Sequence, residues 1–512
     1  MNTTHREPSE ADLPSERRST SVNQDSGFRE QRIDRLVVFA AMIVAGILGG
    51  LYLGRPSLWF DEGASLALAT MPFSEFLFHT AETETSGSIY NLLLRAWAPL
   101  FHDEAWLRLP SLMVAIAALP VTFLLLRELI GRRAARLGVT LLATNAMLIE
   151  WGREVRGYSL ALFFTALMVY ALVLAVRYGG RRWWVLWVFA ATLSVAAHLV
   201  SLFVIVAQGL VLPLLCLPRR SRLHALVAFS SAGALSAPLV WLGLTSGEQI
   251  QWIDPLARWQ VEAFARTLTG ASMNRFVLPA GILVLVGVVV LLKDWRFRPE
   301  AFERWGGYLL VAWIAVPFFL LLAVSVLVQP MFVPRYLVML LPAFVGLLAV
   351  GLEQFRRWPL LESLLVVVLI GIGFPTILGL YDSEGKQDIR RAISIVEAEW
   401  VDGDALAGQT GLGFGAIEHY VSQSALGHQL PVTMFGGVGA HNYRGNPAIL
   451  DFRLTTTAST VTAERLWLTI HPDRFPSGTA EAIQMQGLPP EWVPVRSWPV
   501  QGRVLLLLDT DS

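Results

Sequence analysis

Residues Leu137–Val176 read LGVTLLATNAMLIEWGREVRGYSLALFFTALMVYALVLAV, an apolar block broken near its middle by Arg153-Glu154-Val155-Arg156. Arg127, Arg132, Arg133 and Arg136 lie before it, and Arg177, Arg181 and Arg182 after it. Arginine-rich loops mark the cytoplasmic side of a membrane protein, so both ends of the block face the same way. The chain therefore crosses an even number of times. One crossing of about 30 Å of hydrocarbon takes roughly 20 residues, so the block reads as two short helices with the charged break at the outer face.

Working outward, further apolar runs fall near 36–54, 106–126, 183–198, 200–217, 224–243, 276–292, 308–328, 335–353 and 361–380. Arg219, Arg220 and Arg222, then Lys293, Arg296, Arg298 and Arg304, and finally Arg356 and Arg357 mark further cytoplasmic loops. The same parity splits 183–217 into two helices that turn near His198 and Ser201. The expected fold class is an α-helical polytopic membrane protein of about eleven spans, with a cytoplasmic N-terminus and an extracytoplasmic α/β domain at 381–512. Within that domain Asp388–Trp400 reads as a helix, and Arg465–Ile470 and Arg503–Asp509 read as buried strands.

Composition agrees. The 512 residues are 54% hydrophobic and 16% charged, with a mean hydropathy of +0.52, whereas soluble domains are about a quarter charged. A formal net charge of zero supplies no bulk attraction to nucleic acid. The lone cysteine, Cys216, sits in an apolar run and cannot form an internal disulfide. No zinc-type Cys/His spacing is present and no cofactor is expected, with a carboxylate-bound divalent metal left open. Residues 1–35 are polar and rich in Ser, Glu and Arg, a composition that reads as a disordered cytoplasmic tail. Lacking a small-residue cleavage site, the first apolar run reads as an uncleaved anchor.

The outer face then collects the first loop (55–105), the break at 153–158, a loop at 244–275, Gln329–Arg335 and the C-terminal domain. Apolar residues at helical spacing in the first loop, Phe73, Phe76 and Leu77, then Ile89, Leu92 and Leu93, predict helices lying on the membrane surface.

Several of these residues are candidates for chemistry. Asp61 and Glu62 follow Leu58-Trp59-Phe60 at the end of the first helix. Partial desolvation beside interfacial aromatics makes a carboxylate a better base, although a solvated loop acid fits the same position. Arg153, Glu154, Arg156 and Tyr158 share a short outer turn, where charges are expensive unless paired or facing a polar cavity. Two arginines there are suited to clamp a phosphate; an internal pair of Glu154 with one arginine is the plainer alternative. Pro334-Arg335-Tyr336 opens a helix, placing Arg335 for an anionic headgroup or for ordinary snorkelling. His198 reads as a proton carrier or a hydrogen-bonded structural histidine. Asp103, Glu104 and Arg108 read as helix-end pairing. Trp252, Asp254 and Trp259 read as a sugar-stacking surface or as interfacial anchors.

Four of these segments, in order, resemble motifs of the GT-C fold glycosyltransferases, specifically the family 39 and RgtA/B/C/D-like group. Trp59-Phe60-Asp61-Glu62 resembles the first-loop Asp-Glu motif, and Leu107-Arg108-Leu109-Pro110-Ser111 the "RLPS" start of the second helix. Arg153-Glu154-Val155-Arg156-Gly157-Tyr158 resembles "QEARxY", and Phe332-Val333-Pro334-Arg335-Tyr336, with Pro342 downstream, the late "F-x-x-R-Y" helix start. The likeness covers 36–400. It implies a transmembrane catalytic domain at 36–380 that uses a polyprenyl-phosphate-linked sugar, related to protein O-mannosyltransferases and the aminoarabinose transferase of lipid A. Asp61 would deprotonate the acceptor hydroxyl of a glycan, lipid or protein, with Glu62 assisting or orienting it. Arg153, Arg156 or Arg335 would bind the donor phosphate, a good leaving group once neutralised. Direct displacement would invert the anomeric centre. Thr85-Ser86-Gly87-Ser88-Ile89-Tyr90-Asn91 departs from the Pro-Pro and Leu-Tyr-Tyr pattern of relatives, without a lysine or double proline.

The same arginines without chemistry would suit a transporter or flippase of a lipid-linked anion. Inverted repeats and helices broken at mid-membrane would mark one, and no convincing repeat is visible. A scaffold whose C-terminal domain recruits partners would have no use for the charges converging at Asp61.

Overall fold

The structure, a computed structural model, describes residues 16–82, 85–245, 253–293, 301–382, 386–408, 414–428, 441–443, 446–449, 464–470 and 492–509. Helix α1 runs Glu16–Gly50. Residues 16–35, expected from composition to be disordered, therefore continue the first membrane helix, since extending a formed helix is far easier than nucleating one. On that extension Asp34 pairs with Arg132 and Arg136, both at 2.7 Å, and Glu30 pairs with Arg136.

Three helices of the first loop follow, α2 (Phe60–Thr70), α3 (Phe73–Glu82) and α4 (Ser88–Trp97). Phe76 is buried while Phe73, Leu77, Leu92 and Leu93 are exposed, the apolar outer face expected of helices lying on a membrane. Helix α5 (Glu104–Ile130) starts at Asp103, whose side chain accepts the Trp106 N–H at 2.9 Å, a helix-end role foreseen for this acid.

Next come α6 (Arg132–Ala143), α7 (Ala146–Gly152), α8 (Tyr158–Tyr178), α9 (Arg181–Ala197), α10 (Leu202–Val211) and α11 (Arg219–Thr245). The first of the two short helices expected in the 137–176 block is itself split in two. Asn145 caps α7, its side chain accepting the N–H groups of Met147 and Leu148 at 2.9 and 3.4 Å, and a buried cap of this kind starts a new helix inside an apolar run. The chain turns back at Arg153–Gly157, as the charged break predicts, and again at His198–Ser201.

The remainder comprises α12 (Arg258–Thr269), α13 (Val277–Lys293), α14 (Ala301–Leu327), α15 (Leu341–Glu353) and α16 (Pro359–Gly379). A Cβ on Gly287 or Gly351 would lie 2.2 Å from a carbonyl oxygen of the facing helix, so α13 and α15 meet backbone to backbone, as small residues allow in membranes. Among the described residues, eight helices are long and apolar enough to cross a bilayer. The other three expected crossings are the broken α6–α7, the 17-residue α9 and the 10-residue α10.

Beyond them lie α17 (Ile389–Glu399), β1 (Ala405–Gly408), α18 (Phe414–Gln423), the hairpin strands β2 (His441–Tyr443) and β3 (Asn446–Ile449), then β4 (Arg465–Ile470), β5 (Val493–Val500) and β6 (Arg503–Asp509). The sheet order is β1-β4-β6-β5, with β1 parallel to β4 and the other pairs antiparallel. Trp467, Leu468, Leu506 and Leu508 are buried, so the helix at 389–399 and the two apolar strands stand where alternation and hydrophobicity put them.

Candidate active site

The chain leaves α1, runs through residues 51–59, and enters α2 with Asp61 and Glu62 in its first turn. These neighbouring acids have different surroundings. Glu62 is completely buried and receives Arg108 at both oxygens, from Nε at 2.8 Å and Nη2 at 2.6 Å. It also accepts the Val155 N–H at 3.0 Å and the Trp59 N–H at 3.4 Å. Burial pushes this carboxyl up from its ordinary value against the pull of Arg108. Glu62 thus ties the first loop, α5 and the 153–157 turn together and is shut off from any substrate. That geometry limits it to the orienting part of its expected role.

Asp61, one residue earlier, is reachable. Its Oδ2 lies 3.4 Å from Nη2 of Arg335, and the two side chains are 16% and 19% exposed. Arg335 also donates from Nε to the Tyr158 hydroxyl at 3.0 Å. Its guanidinium sits 5.8–5.9 Å from the rings of Trp59, Trp151 and Tyr336, a cation enclosed by aromatic faces. Arg156 approaches the backbone of the same residue as Arg335 pairs with, Nη1 lying 3.4 Å from both the Asp61 carbonyl oxygen and the Ser65 hydroxyl. His198 lies against the same group, its ring 4.7 Å from Tyr336 and 5.8 Å from Tyr158. Its Nδ1 accepts the Val200 N–H at 3.3 Å, leaving the proton on Nε2.

Asp61, Arg156, Tyr158, His198, Arg335 and Tyr336 thus come together from four separate segments. Two other candidate residues, Arg153 and Arg108, do not join them. Arg153 turns toward α1, donating to the carbonyls of Gly49, Leu51 and Tyr52 at 2.9, 2.6 and 3.1 Å. The last turn of a helix leaves these acceptors without partners, and a cation there is favoured by the helix dipole. Arg108 is consumed by Glu62 and by the carbonyls of Leu53, Pro56 and Ser57 at 2.9, 2.9 and 3.2 Å. Both arginines stabilise the loop and neither faces the Asp61 cluster. Trp259 is exposed on α12, and Trp252 lies outside the described residues.

Glu154 does not pair with an arginine of its own turn either. It accepts the Lys386 ammonium at 2.8 Å and the Trp59 indole N–H. Glu150 lies 3.3 Å from the same ammonium, which rests 4.5 Å from the Trp59 ring and 4.1 Å from that of Trp151. Burial opposes ionisation of both partners, yet their mutual attraction wins: Glu154 falls below its ordinary range and Lys386 rises above its own. Lys386 and Trp151 had escaped notice in the sequence. A usable signal existed, because Lys293 and Lys386 are the chain's two lysines, and Lys386 follows the last membrane helix. Among the described residues, no three His, Cys, Asp or Glu side chains are grouped to hold a metal.

No protein-family model and no curated protein matches the chain. Solved structures do. ArnT from Cupriavidus metallidurans in the apo state aligns with a TM-score of 0.57 at 14% identity, covering 92% of this chain and 97% of that one. The same protein bound to undecaprenyl phosphate gives 0.56 at 14% identity over the same shares. The oligosaccharyltransferase of Archaeoglobus fulgidus, tethered to an acceptor peptide, gives 0.54 at 12% identity, over 90% of this chain and 72% of its own. This chain is a polytopic membrane protein with the GT-C fold of those membrane glycosyltransferases.

Proposed function

We propose that the protein is a membrane glycosyltransferase that moves a sugar from a polyprenyl-phosphate carrier to a hydroxyl acceptor at the outer face of the membrane. The observation that carries this reading is the Asp61–Arg335 pair. A reachable carboxylate lies 3.4 Å from a guanidinium, with Arg156 Nη1 3.4 Å from the backbone carbonyl of the same aspartate, at one end of a helical bundle. In the reaction, Asp61 takes the proton of the acceptor hydroxyl, and the acceptor oxygen bonds to the anomeric carbon. The bond from that carbon to the phosphate oxygen breaks, and polyprenyl phosphate leaves with both electrons. Arg335 and Arg156 neutralise the charge that develops on the phosphate. A single displacement inverts the anomeric centre.

Residues 36–380 form the catalytic domain in this reading and 381–512 an extracytoplasmic one. Arg132, Arg133, Arg136 and Arg177 pair with Asp34, Glu362, Glu30 and Glu128, respectively, at helix ends away from Asp61, and the excess of arginine there supports a cytoplasmic location for that end. The test is mass spectrometry of envelope glycans and glycolipids from cells carrying the protein, lacking it, or carrying Asp61→Asn. Loss of one and the same glycoform from the last two supports the proposal. Three identical profiles refute it.

A further inference from the structure

At the start of α2, the peptide N–H groups of Leu58, Trp59 and Phe60 precede Asp61, where a helix leaves donors without internal partners. Glu62 satisfies Trp59. The other two acceptors come from more than three hundred residues away in sequence. The Tyr420 hydroxyl on α18 accepts the Leu58 N–H at 2.8 Å and donates to Glu104 at 2.9 Å. Gln387 Oε1 accepts the Phe60 N–H at 3.2 Å. Arg390 adds three more ties: its N–H donates to Ser57 Oγ at 3.1 Å, and its guanidinium reaches the Arg55 and Gly54 carbonyls at 3.0 and 3.3 Å. Helix α18 lies so close to α2 that a Cβ on Gly415 would come within 2.3 Å of the Gly63 carbonyl oxygen.

We infer that the C-terminal domain is a positioning element for the base: Tyr420 and Gln387 set the register of residues 58–60 and so aim the Asp61 carboxylate. The inference rests on the base role proposed above. Arg108 grips the carbonyl side of the same segment from the bundle, so without the C-terminal contacts its N–H side is held at Trp59 by Glu62. A shift of about 1 Å in a catalytic group lowers turnover by as much as 10²-fold. Tyr420 and Gln387 act through the backbone and need touch neither donor nor acceptor.

The test uses the full-length protein in nanodiscs, with polyprenyl-phosphate sugars extracted from native membranes as donor. Tyr420→Phe and Gln387→Met each remove one acceptor, and Gln387→Glu restores an oxygen. The expected result is a kcat lowered about tenfold or more in the first two, with donor KM unchanged and the thermal midpoint lowered by no more than the loss of a hydrogen bond accounts for, and near wild-type kcat in Gln387→Glu. Unchanged kcat in both Tyr420→Phe and Gln387→Met overturns the inference. So does a joint loss of kcat and thermal stability that Gln387→Glu fails to reverse, the mark of simple docking. Asp61→Asn run alongside separates the failures. If it is inactive while Tyr420→Phe and Gln387→Met are normal, only the positioning claim falls; if it turns over, the base assignment falls and the inference with it.

Discussion

Glu62→Gln and Asp61→Asn alter adjacent carboxylates by the same isosteric exchange, and the structure separates their consequences. Glu62 is fully buried against an Arg108 side chain that is 5% exposed. Neutralising it strands a buried guanidinium, for which loss of one partner costs about 3–5 kcal/mol. Arg108 keeps three carbonyl acceptors at 2.9–3.2 Å and glutamine keeps one oxygen, so the loss falls near the lower end, about 3 kcal/mol. Asp61 has a single 3.4 Å ion pair between partly exposed side chains, worth about 1 kcal/mol or less. Its amide, however, cannot take a proton, and losing a general base lowers turnover about 10²–10⁴-fold. Thermal unfolding of the detergent-solubilised variants and sugar transfer by each should therefore dissociate. Glu62→Gln melts several degrees early, while Asp61→Asn melts like the wild type and is inactive. A Glu62→Gln protein as stable as the wild type, or an Asp61→Asn protein as unstable as Glu62→Gln, would refute the division of labour.

Three further outcomes follow from the same contacts. Arg335→Ala should weaken binding of polyprenyl phosphate about tenfold or more while leaving acceptor affinity in place, a charge-assisted contact to phosphate being among the stronger hydrogen bonds; equal donor affinity would remove Arg335 from the phosphate site. The Glu154–Lys386 pair stabilises the protein above the ordinary carboxyl range, because Glu154 titrates lower when folded, and below the ordinary lysine range, because Lys386 titrates higher. The stability gap between wild type and a Glu154→Gln, Lys386→Met double variant should therefore be flat from about pH 5 to about pH 10 and shrink in acid; a gap that grows in acid would contradict the pairing. Cysteine introduced at His102, exposed in the first outer loop, should react with an impermeant maleimide in intact cells, and labelling only after permeabilisation would invert the topology.

Each expected crossing is helical because long apolar runs announce themselves locally, and the turn at 153–157 is where paired charges in an apolar block demand it. Asp61, Arg156 and Arg335 were legible for a related reason: a charge flanked by apolar helix is costly wherever it sits, so its presence alone draws attention. Partners are another matter. Arg153 and Arg335 look alike in sequence, yet one caps the end of α1 and the other meets Asp61, 274 positions away. Glu154 finds Lys386 across 232 positions, and Leu58 finds Tyr420 across 362. No local period encodes such distances. The break at Asn145 was hidden because one capping amide in an apolar run leaves the hydrophobic pattern intact.

On the proposed function, this end of the bundle cleaves a sugar from a lipid phosphate instead of carrying the intact lipid across the membrane. Purified protein in liposomes, supplied with extracted polyprenyl-phosphate sugars and an envelope acceptor fraction, can be followed by mass spectrometry for free polyprenyl phosphate. The wild type should release it in step with glycosylated acceptor, and Asp61→Asn should release none. Intact donor accumulating in the opposite leaflet with no polyprenyl phosphate freed would contradict the proposed function and favour a flippase.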